Sequence, residues 1–444
     1  MAKTRDDLTS PALYERQIRL LAERYRDRGW PAEIELTTPL VESHALDVSR
    51  RLAREVSAGE YAFEPLVPHA AMLNGKPRTI YRIDPLDAVV FGALVRVLSA
   101  TIEPRLGAYL HSYRKGYSQW TAARALINHA RTHAQSRPDP RERGLFVLRR
   151  DVRRYDENIP VGDDSSLWTT LERLLGGATL GYRGDLAGFL RRAFRPPVAR
   201  EGAPPSPLAR GVPTGLPTQS IACNVYLLPL DDELRALPGG FYARYGDDIV
   251  FAHHERDAVE HAARTLEAGV ARLGLHFNPD KSYAYWLTRP GRAHASATDY
   301  RPTTRVPYLG FEVGFDGARL RSDKRRTLWL GLQKRLLHAD MLLRGQPLSE
   351  RADALCHVVR VTFDHSSALG DRYASWLEMP MMSREDLRQL DYQIALLVAQ
   401  RLSGQRGPRA FRSFPRRRLY ESHGLPSLLH KYAVARAKVR AVTP

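Results

Sequence analysis

The chain has 444 residues, 43% of them hydrophobic and 26% charged, which is globular composition with room for two or three domains. Lys and Arg number 67 against 49 Asp and Glu, for a net charge of +18 and a pI near 10.0, a balance that favours a polyanionic partner over a merely soluble surface. Two cysteines, Cys223 and Cys356, exclude a disulfide framework or a zinc knuckle.

The first residues, Met1 to Asp7, lack the apolar core of a signal peptide, and a reducing cytoplasm is the expected setting. Leu13, Ile18, Leu21 and Tyr25 recur at helical spacing and predict an amphipathic helix over Pro11 to Arg28. Ala70 to Ile83 reads as a basic, partly strand-like segment. Asp84-Pro85 then opens a long apolar helix through Ile102. Asp87 and Arg96 within that run argue for a buried helix and against a membrane span. Ser136 to Arg143 is a charged loop and Phe146 to Val152 a strand. Asp163 to Ser166 caps a helix that runs to Leu175.

Pro196 to Pro217 is rich in Pro and Gly and reads as loop, followed by a helix from Thr218 to about Leu228. Phe241 to Tyr245 and Ile249 to Ala252 form a hairpin, Ala258 to Leu273 a helix, and Tyr308 to Val313 a short strand. From Lys324 the chain is mainly helical. Its last stretch, from Arg401, is densely basic and holds a single acid, Glu421. The expected fold class is α+β, with a helical region gripping nucleic acid after the mixed core.

The informative residues are acids at strand ends. Asp247 and Asp248 sit at the turn of the predicted hairpin, and Asp151 ends the strand upstream. Alone, each reads as a cap or a solvated turn. Brought together on neighbouring strand ends, three carboxylates can hold two divalent metal ions, the arrangement that stabilises the attacking and leaving oxygens in nucleotidyl transfer.

In this order and context the chain resembles the palm of right-hand polymerases, specifically bacterial reverse transcriptases, over roughly Lys76 to Gly314. Lys76-Pro77-Arg78-Thr79-Ile80 with Asp87 is similar to the start of the fingers. Ile102-Glu103-Pro104 and Ser112-Tyr113-Arg114-Lys115-Gly116 are similar to the next block. Leu148 to Tyr155 resembles the first catalytic motif. Gly211-Val212-Pro213-Thr214-Gly215 with Asn224 to Leu227 resembles the loop and helix that hold template and primer. Tyr245 to Asp248 resembles the second catalytic motif. Leu273-Gly274-Leu275 with Asn278 to Lys281 looks like the block after it, and Tyr308 to Phe311 like the primer grip. Single blocks are weak signals; their shared order is specific.

The resemblance implies a fingers–palm core over 70–320 between an N-terminal helical extension (1–69) and a thumb-like, basic RNA-binding region (321–444). It implies two Mg²⁺ ions, with Mn²⁺ as a substitute, held by Asp151, Asp247, Asp248 and the carbonyl of Val152. Lys76, Arg78 and Arg82 would pair with the triphosphate, Lys281 would protonate the departing pyrophosphate, and Gly215 would let the backbone approach the nascent pair. Arg409, Arg412, Arg416, Arg417 and Arg418, interleaved with Phe411, Phe414 and Tyr420, would bind RNA.

Two positions depart from the family pattern. Relatives place an aromatic side chain five positions after the first catalytic Asp, where it excludes the ribose 2′-hydroxyl; here that position is Asp156, with Tyr155 before it. Either Asp156 accepts the 2′-hydroxyl, as in RNA-directed RNA polymerases, or a one-residue shift makes Tyr155 the gate. Many relatives carry Gln where this chain has Thr214, and the shorter side chain would loosen the hold on the incoming nucleotide. The sequence shows no ribonuclease H acid cluster, no Cys/His endonuclease group and no Val-Thr-Gly signature of retron enzymes.

That pattern resembles stand-alone defence-associated reverse transcriptases, with diversity-generating enzymes second. The family implies a structured non-coding RNA, an RNA or DNA primer–template, deoxynucleoside triphosphates, no membrane and, in some members, a homo-oligomer. Rival readings are a polymerase that accepts ribonucleotides or extends without an external template, and a silent RNA-binding protein on a palm scaffold.

Overall fold

The computed structural model describes residues 7–28, 42–73, 76–137, 144–289, 299–363 and 381–434. The chain forms two compact units, Met1–Ser118 with Leu148–Tyr283, and Gln119–Val147 with Ala284–Pro444. The described strands are β1 (Val67–Leu73), β2 (Lys76–Arg82), β3 (Leu145–Asp151), β4 (Val198–Arg200), β5 (Ala203–Ser206) and β6 (Phe241–Tyr245). They continue as β7 (Asp248–His253), β8 (Tyr283–Leu287), β9 (Arg301–Thr303), β10 (Val306–Tyr308), β11 (Phe311–Gly314) and β12 (Gly317–Leu320). The fold is α+β.

In the first unit, helix Pro11–Arg28 packs on helices Ala45–Ala58 and Pro85–Ile102. The periodic residues Leu13 and Ile18 are buried, as are Leu52, Val56 and Leu94 on the two partner helices. Pro85–Ile102 starts where its sequence says: Asp84 accepts the Leu86 N–H at 2.8 Å, and Pro85, which has no N–H to leave unpaired, fills the first turn. By length and composition alone this helix could cross a membrane, but most of it is buried within the protein. Asp87 on its inner face accepts from Tyr61 Oη at 2.6 Å and from the Glu64 N–H at 2.9 Å, while burial pushes its carboxyl up to about 7.

β1 and β2 form an antiparallel hairpin, with Val67 opposite Arg82. β6 and β7 form a second, with Tyr245 opposite Asp248, and β3 lies next to β7. Every residue of β7 is buried, which is why its sequence reads as an apolar run broken only by Asp248 and His253. The Pro- and Gly-rich stretch predicted as loop contains a small hairpin, β4–β5, whose bonds are interrupted by a bulge. The helix predicted from Thr218 to about Leu228 is Gln219–Val225, and a second helix, Leu228–Arg235, follows it. Pro229 falls in the first turn of this second helix, where it cannot continue the bonding of the first.

In the second unit, helix Gln119–Ser136 packs on β11 and β12 of the antiparallel sheet β10-β11-β12, with Trp120 edge-on to Phe311 at 4.5 Å. The stretch Tyr308 to Val313, predicted as one strand, is a tight hairpin turn. Leu309 (φ 50°) and Gly310 (φ 86°) are both left-handed, which ends β10 and starts β11. Helices Ser322–Leu342, Leu348–Thr362 and Arg384–Ser403 pack together. The basic stretch after them is folded. Phe414, Leu419, Leu425, Leu428 and Tyr432 are buried, and the Asp391 carboxylate accepts from the Leu428 N–H at 2.7 Å and from Ser427 Oγ at 2.8 Å.

Candidate active site

β3 ends at Asp151, and the two-residue turn Gly246-Asp247 joins β6 to β7. Gly246 has φ 63°, a conformation glycine adopts without strain. Three backbone bonds bring the acids together. The Val152 N–H donates to the Asp247 carbonyl at 3.0 Å, the Asn278 N–H to the Asp151 carbonyl at 2.7 Å, and the Arg153 N–H to the His276 carbonyl at 2.8 Å. The segment predicted to follow the catalytic turn is thereby laced to the strand that carries Asp151.

Each of two acids wears a basic partner. Lys281 Nζ lies 2.8 Å from both oxygens of Asp151, and Arg149 meets Asp248 at two points, Nε–Oδ1 3.0 Å and Nη2–Oδ2 2.5 Å. Burial pushes Asp248 up, opposed by Arg149. Burial also raises Asp247, to about 7, and the neighbouring Asp151 charge adds to this. A buried carboxylate beside other carboxylates is costly until a cation reaches it.

Among the described residues no three His, Cys, Asp or Glu side chains are drawn into a ready metal cage. Both Asp248 oxygens are paired with Arg149, and Asp247 stands at the turn beside Asp151. The donor chemistry still fits a hard divalent ion, since carboxylate oxygens are what Mg²⁺ takes.

Tyr155 is not a gate. It is buried, and its hydroxyl donates to the Cys223 carbonyl at 2.8 Å, so its ring belongs to the core under the site. Asp156 is the half-exposed residue of the pair, and its carboxylate is held from the proline-rich loop. Gln219 Nε2 donates to it at 2.9 Å and Thr214 Oγ1 at 3.3 Å. The Gly215 N–H donates in turn to Gln219 Oε1 at 3.1 Å. Gln219 thus supplies an amide close to where relatives were expected to carry one at 214. Sequence reasoning missed it because it looked for that amide at a single aligned position. The loop closes onto this turn through the Val212 N–H to the Asp156 carbonyl and the Gly211 N–H to the Ile159 carbonyl, both 2.8 Å. At Gly211 (φ 85°) a Cβ would stand 2.6 Å from the Glu157 carbonyl oxygen, so only glycine fits.

The basic candidates divide. Arg78 pairs with Glu157 at 2.6 Å on the surface. Arg82 lines a cleft of about 560 Å³ with Arg51, Glu55 and Asp84, a lining that includes none of the three acids. Lys76 opens β2, and its side chain lies outside the described residues. In the second unit Arg409, Arg412, Arg416, Arg417 and Arg418 are exposed, Arg417 pairing with Glu421 at 2.8 Å. Phe414 is not available for stacking on bases. It is buried, and Arg418 lies over its ring at 5.7 Å.

Two further residues fix the turn. Arg244, wholly buried, donates to both oxygens of Asp231 and to the carbonyls of Cys223 (3.1 Å), Asn224 (2.8 Å) and Gly246 (3.2 Å). Tyr242 donates to the same Asp231 at 2.5 Å. A charged residue at a buried strand position was the available signal.

Residues 186–313 match the family model described as "Reverse transcriptase (RNA-dependent DNA polymerase)". This stretch, under a third of the chain, is similar to a reverse transcriptase domain. Such a domain is a nucleotidyltransferase of the RNA-directed DNA polymerase type. The match covers the Gly211–Gly215 loop, the Asp247–Asp248 turn and Lys281, and begins after Asp151. No curated protein matches the chain. Among solved structures it is similar to apo telomerase from Candida tropicalis truncated from its C-terminal domain (13% identity, TM-score 0.44, 60% of this chain and 56% of that one). It is also similar to telomerase from Candida albicans in complex with a TWJ fragment of telomeric RNA (13% identity, TM-score 0.44, 85% of this chain and 64% of that one). The chain spans less than two thirds of either of these proteins.

Proposed function

We propose that the chain is an RNA-directed DNA polymerase that extends a primer 3′-hydroxyl, with 70–320 as fingers and palm and 321–444 as a thumb-like, RNA-gripping region. The observation that carries this reading is the 3.0 Å bond from the Val152 N–H to the Asp247 carbonyl. It ties the Asp151 strand end to an acidic turn inside the stretch that matches the reverse transcriptase family.

Asp151 and Asp247 would hold the divalent ions, Mg²⁺ or Mn²⁺, with the Val152 carbonyl. Asp248, braced by Arg149, would fix the angle of the turn. When bound, the ions activate the primer hydroxyl and offset the charge that develops on the triphosphate. Lys281, at 2.8 Å from Asp151, would exchange that carboxylate for the departing pyrophosphate and give it a proton. Asp156, Gln219 and Thr214 would meet the sugar of the incoming nucleotide, and Gly215 leaves room for the nascent pair.

The net charge of +18 and the exposed arginines from Arg409 to Arg418 support a structured non-coding RNA as partner. A role in antiphage defence, in the cytoplasm, is the biological setting we infer from the resemblance. The test is primer extension on an RNA template with Mg²⁺ and deoxynucleoside triphosphates, beside an Asp247→Asn variant. Extension by the parent and none by the variant is expected; equal extension by both would sink the reading.

A second reading has its own support. With Tyr155 in the core and a fixed carboxylate at Asp156, nothing aromatic from that turn bars a 2′-hydroxyl. Offering ribo- and deoxynucleotide pools separately decides between DNA and RNA synthesis.

A further inference from the structure

Tyr113 is held in a conformation its chemistry disfavours. Its φ is 54°, in the left-handed region, and it is not glycine, asparagine or aspartate. Its ring is among the most open of the large apolar side chains, 61% exposed. An exposed aromatic on a strained backbone gains nothing from packing, so the neighbours must impose the conformation.

They do so from both sides. Ser112, wholly buried, donates through Oγ to Asn224 Oδ1 at 2.7 Å, and Asn224 Nδ2 donates back to the Ser112 carbonyl at 2.8 Å. Arg114 has a side chain only 4% exposed. It donates to Glu103 Oε1 at 2.9 Å and to the carbonyls of Gly107 at 2.5 Å and Leu110 at 2.8 Å, and its guanidinium lies 4.1 Å from the Tyr117 ring centre. Only the residue between these two anchors is left to point outward.

The segment that leads to Tyr113 is bonded to the strand that leads to the acidic turn. The Arg244 N–H donates to the Tyr109 carbonyl and the His111 N–H to the Arg244 carbonyl, both at 2.9 Å, in a parallel bridge centred on Leu110 and Arg244. Two residues on from that bridge stand Ser112 and Gly246; three on stand Tyr113 and Asp247. Burial by the surrounding protein raises the Tyr113 phenol, and the neighbouring Cys223, Asp247, Tyr245 and Asp156 raise it further.

Resting on the polymerase reading, we propose that Tyr113 is a substrate-positioning residue: its ring is the surface on which the sugar and base of the incoming nucleoside triphosphate lie, opposite the Asp156 carboxylate. It fills the role of aromatic contact that buried Tyr155 cannot take. The strain is then retained for function, because a ring on an unstrained backbone would not stand over the acidic turn.

Glycine is the informative substitution, because it keeps the left-handed backbone and removes only the ring. Tyr113→Gly, Tyr113→Phe and the parent protein are compared in single-nucleotide extension on an RNA template, with dATP and ATP as substrates, alongside thermal unfolding. Tyr113→Gly should melt at or above the parent temperature. Its KM for the nucleotide should rise about tenfold or more, the scale of a lost aromatic stack, with kcat within about threefold. Tyr113→Phe should keep the parent KM. An unchanged KM in the glycine variant overturns the proposal whatever happens to kcat, and so does loss of its fold, since the ring would then be a packing group. A parent protein that extends with neither nucleotide would remove the polymerase reading itself, a result distinct from both.

Discussion

Arg149 and Asp248 form a two-point ion pair between the neighbouring strands β3 and β7, with Nε–Oδ1 at 3.0 Å and Nη2–Oδ2 at 2.5 Å and both side chains nearly buried. The guanidinium fork matches the carboxylate at both oxygens, geometry that lysine cannot reproduce. The pair therefore fixes the start of β7, and with it the Gly246-Asp247 turn.

Breaking one partner strands the other as a buried charge. Arg149→Met should destabilise the protein by about 3–5 kcal/mol, and Arg149→Lys by less, in urea unfolding. Adding Asp248→Asn to Arg149→Met should recover part of that loss, because the uncompensated acid is gone. Additive losses in the double variant would show that the two residues act separately.

Asp247 gives a pH signature. Burial first, then the Asp151 charge, raises its folded pKa to about 7 from an ordinary value of 3.8. The folded state therefore binds the proton more tightly than the unfolded state. Relative to a neutral side chain, its penalty is absent below pH about 4, grows between about 4 and 7, and is complete above 7. Asp247→Asn should raise the melting temperature at pH 8 and leave it unchanged near pH 4. Mg²⁺ binds the ionised form, so its stabilisation of the parent should strengthen up to pH about 7 and be largely missing from the variant. A melting temperature for Asp247→Asn that tracks the parent at both pH values would refute the assignment.

The sequence made the acids legible because chemistry demands them at strand ends, and their spacing survives any local shift in register. The helix beginning at Asp84-Pro85 was legible for a similar reason: its cap and first-turn proline are local signals. What lay hidden depends on contacts between distant residues. Tyr155 and Asp156 are adjacent, and only the bond from the Tyr155 hydroxyl to Cys223 shows which one faces inward. Arg149 and Arg150 look alike in the sequence. One braces Asp248, while the other reaches the Tyr283 carbonyl at 3.2 Å. The tail's aromatics read as stacking groups until Phe414 was found in the core.

Gln219 links the loop to the sugar-facing acid, through the Gly215 N–H at 3.1 Å and Asp156 at 2.9 Å. Gln219→Ala should free both groups at a half-exposed position, so stability should fall by only about 0.5–1.5 kcal/mol. The larger effect should be on selection, with the preference between deoxy- and ribonucleotides shifting several-fold as Asp156 loses its fixed orientation. Thr214→Gln should act in the opposite sense and lower misincorporation by adding a second amide beside Asp156. Unchanged nucleotide preference and fidelity in both variants would remove this trio from the nucleotide site.

Leu309 tests the reading of strain in the other unit. It occupies the first position of a two-residue hairpin turn, with φ 50° followed by 86° at Gly310, a turn that favours Asn-Gly. Leucine in the left-handed region costs about 1–2 kcal/mol, and its half-exposed side chain recovers little of that by packing. Leu309→Asn should therefore stabilise the protein by up to about 1 kcal/mol, a melting rise of a few degrees at most. If Leu309 is retained to touch a primer, the same variant should extend primers with a raised KM for the primer–template and an unchanged KM for the nucleotide. That is the reverse of the pattern expected for Tyr113→Gly, so the pair of variants separates two strained residues by the substrate each one meets. A Leu309→Asn protein that melts lower than the parent would show that the leucine is held by packing, and that the left-handed turn is incidental to function.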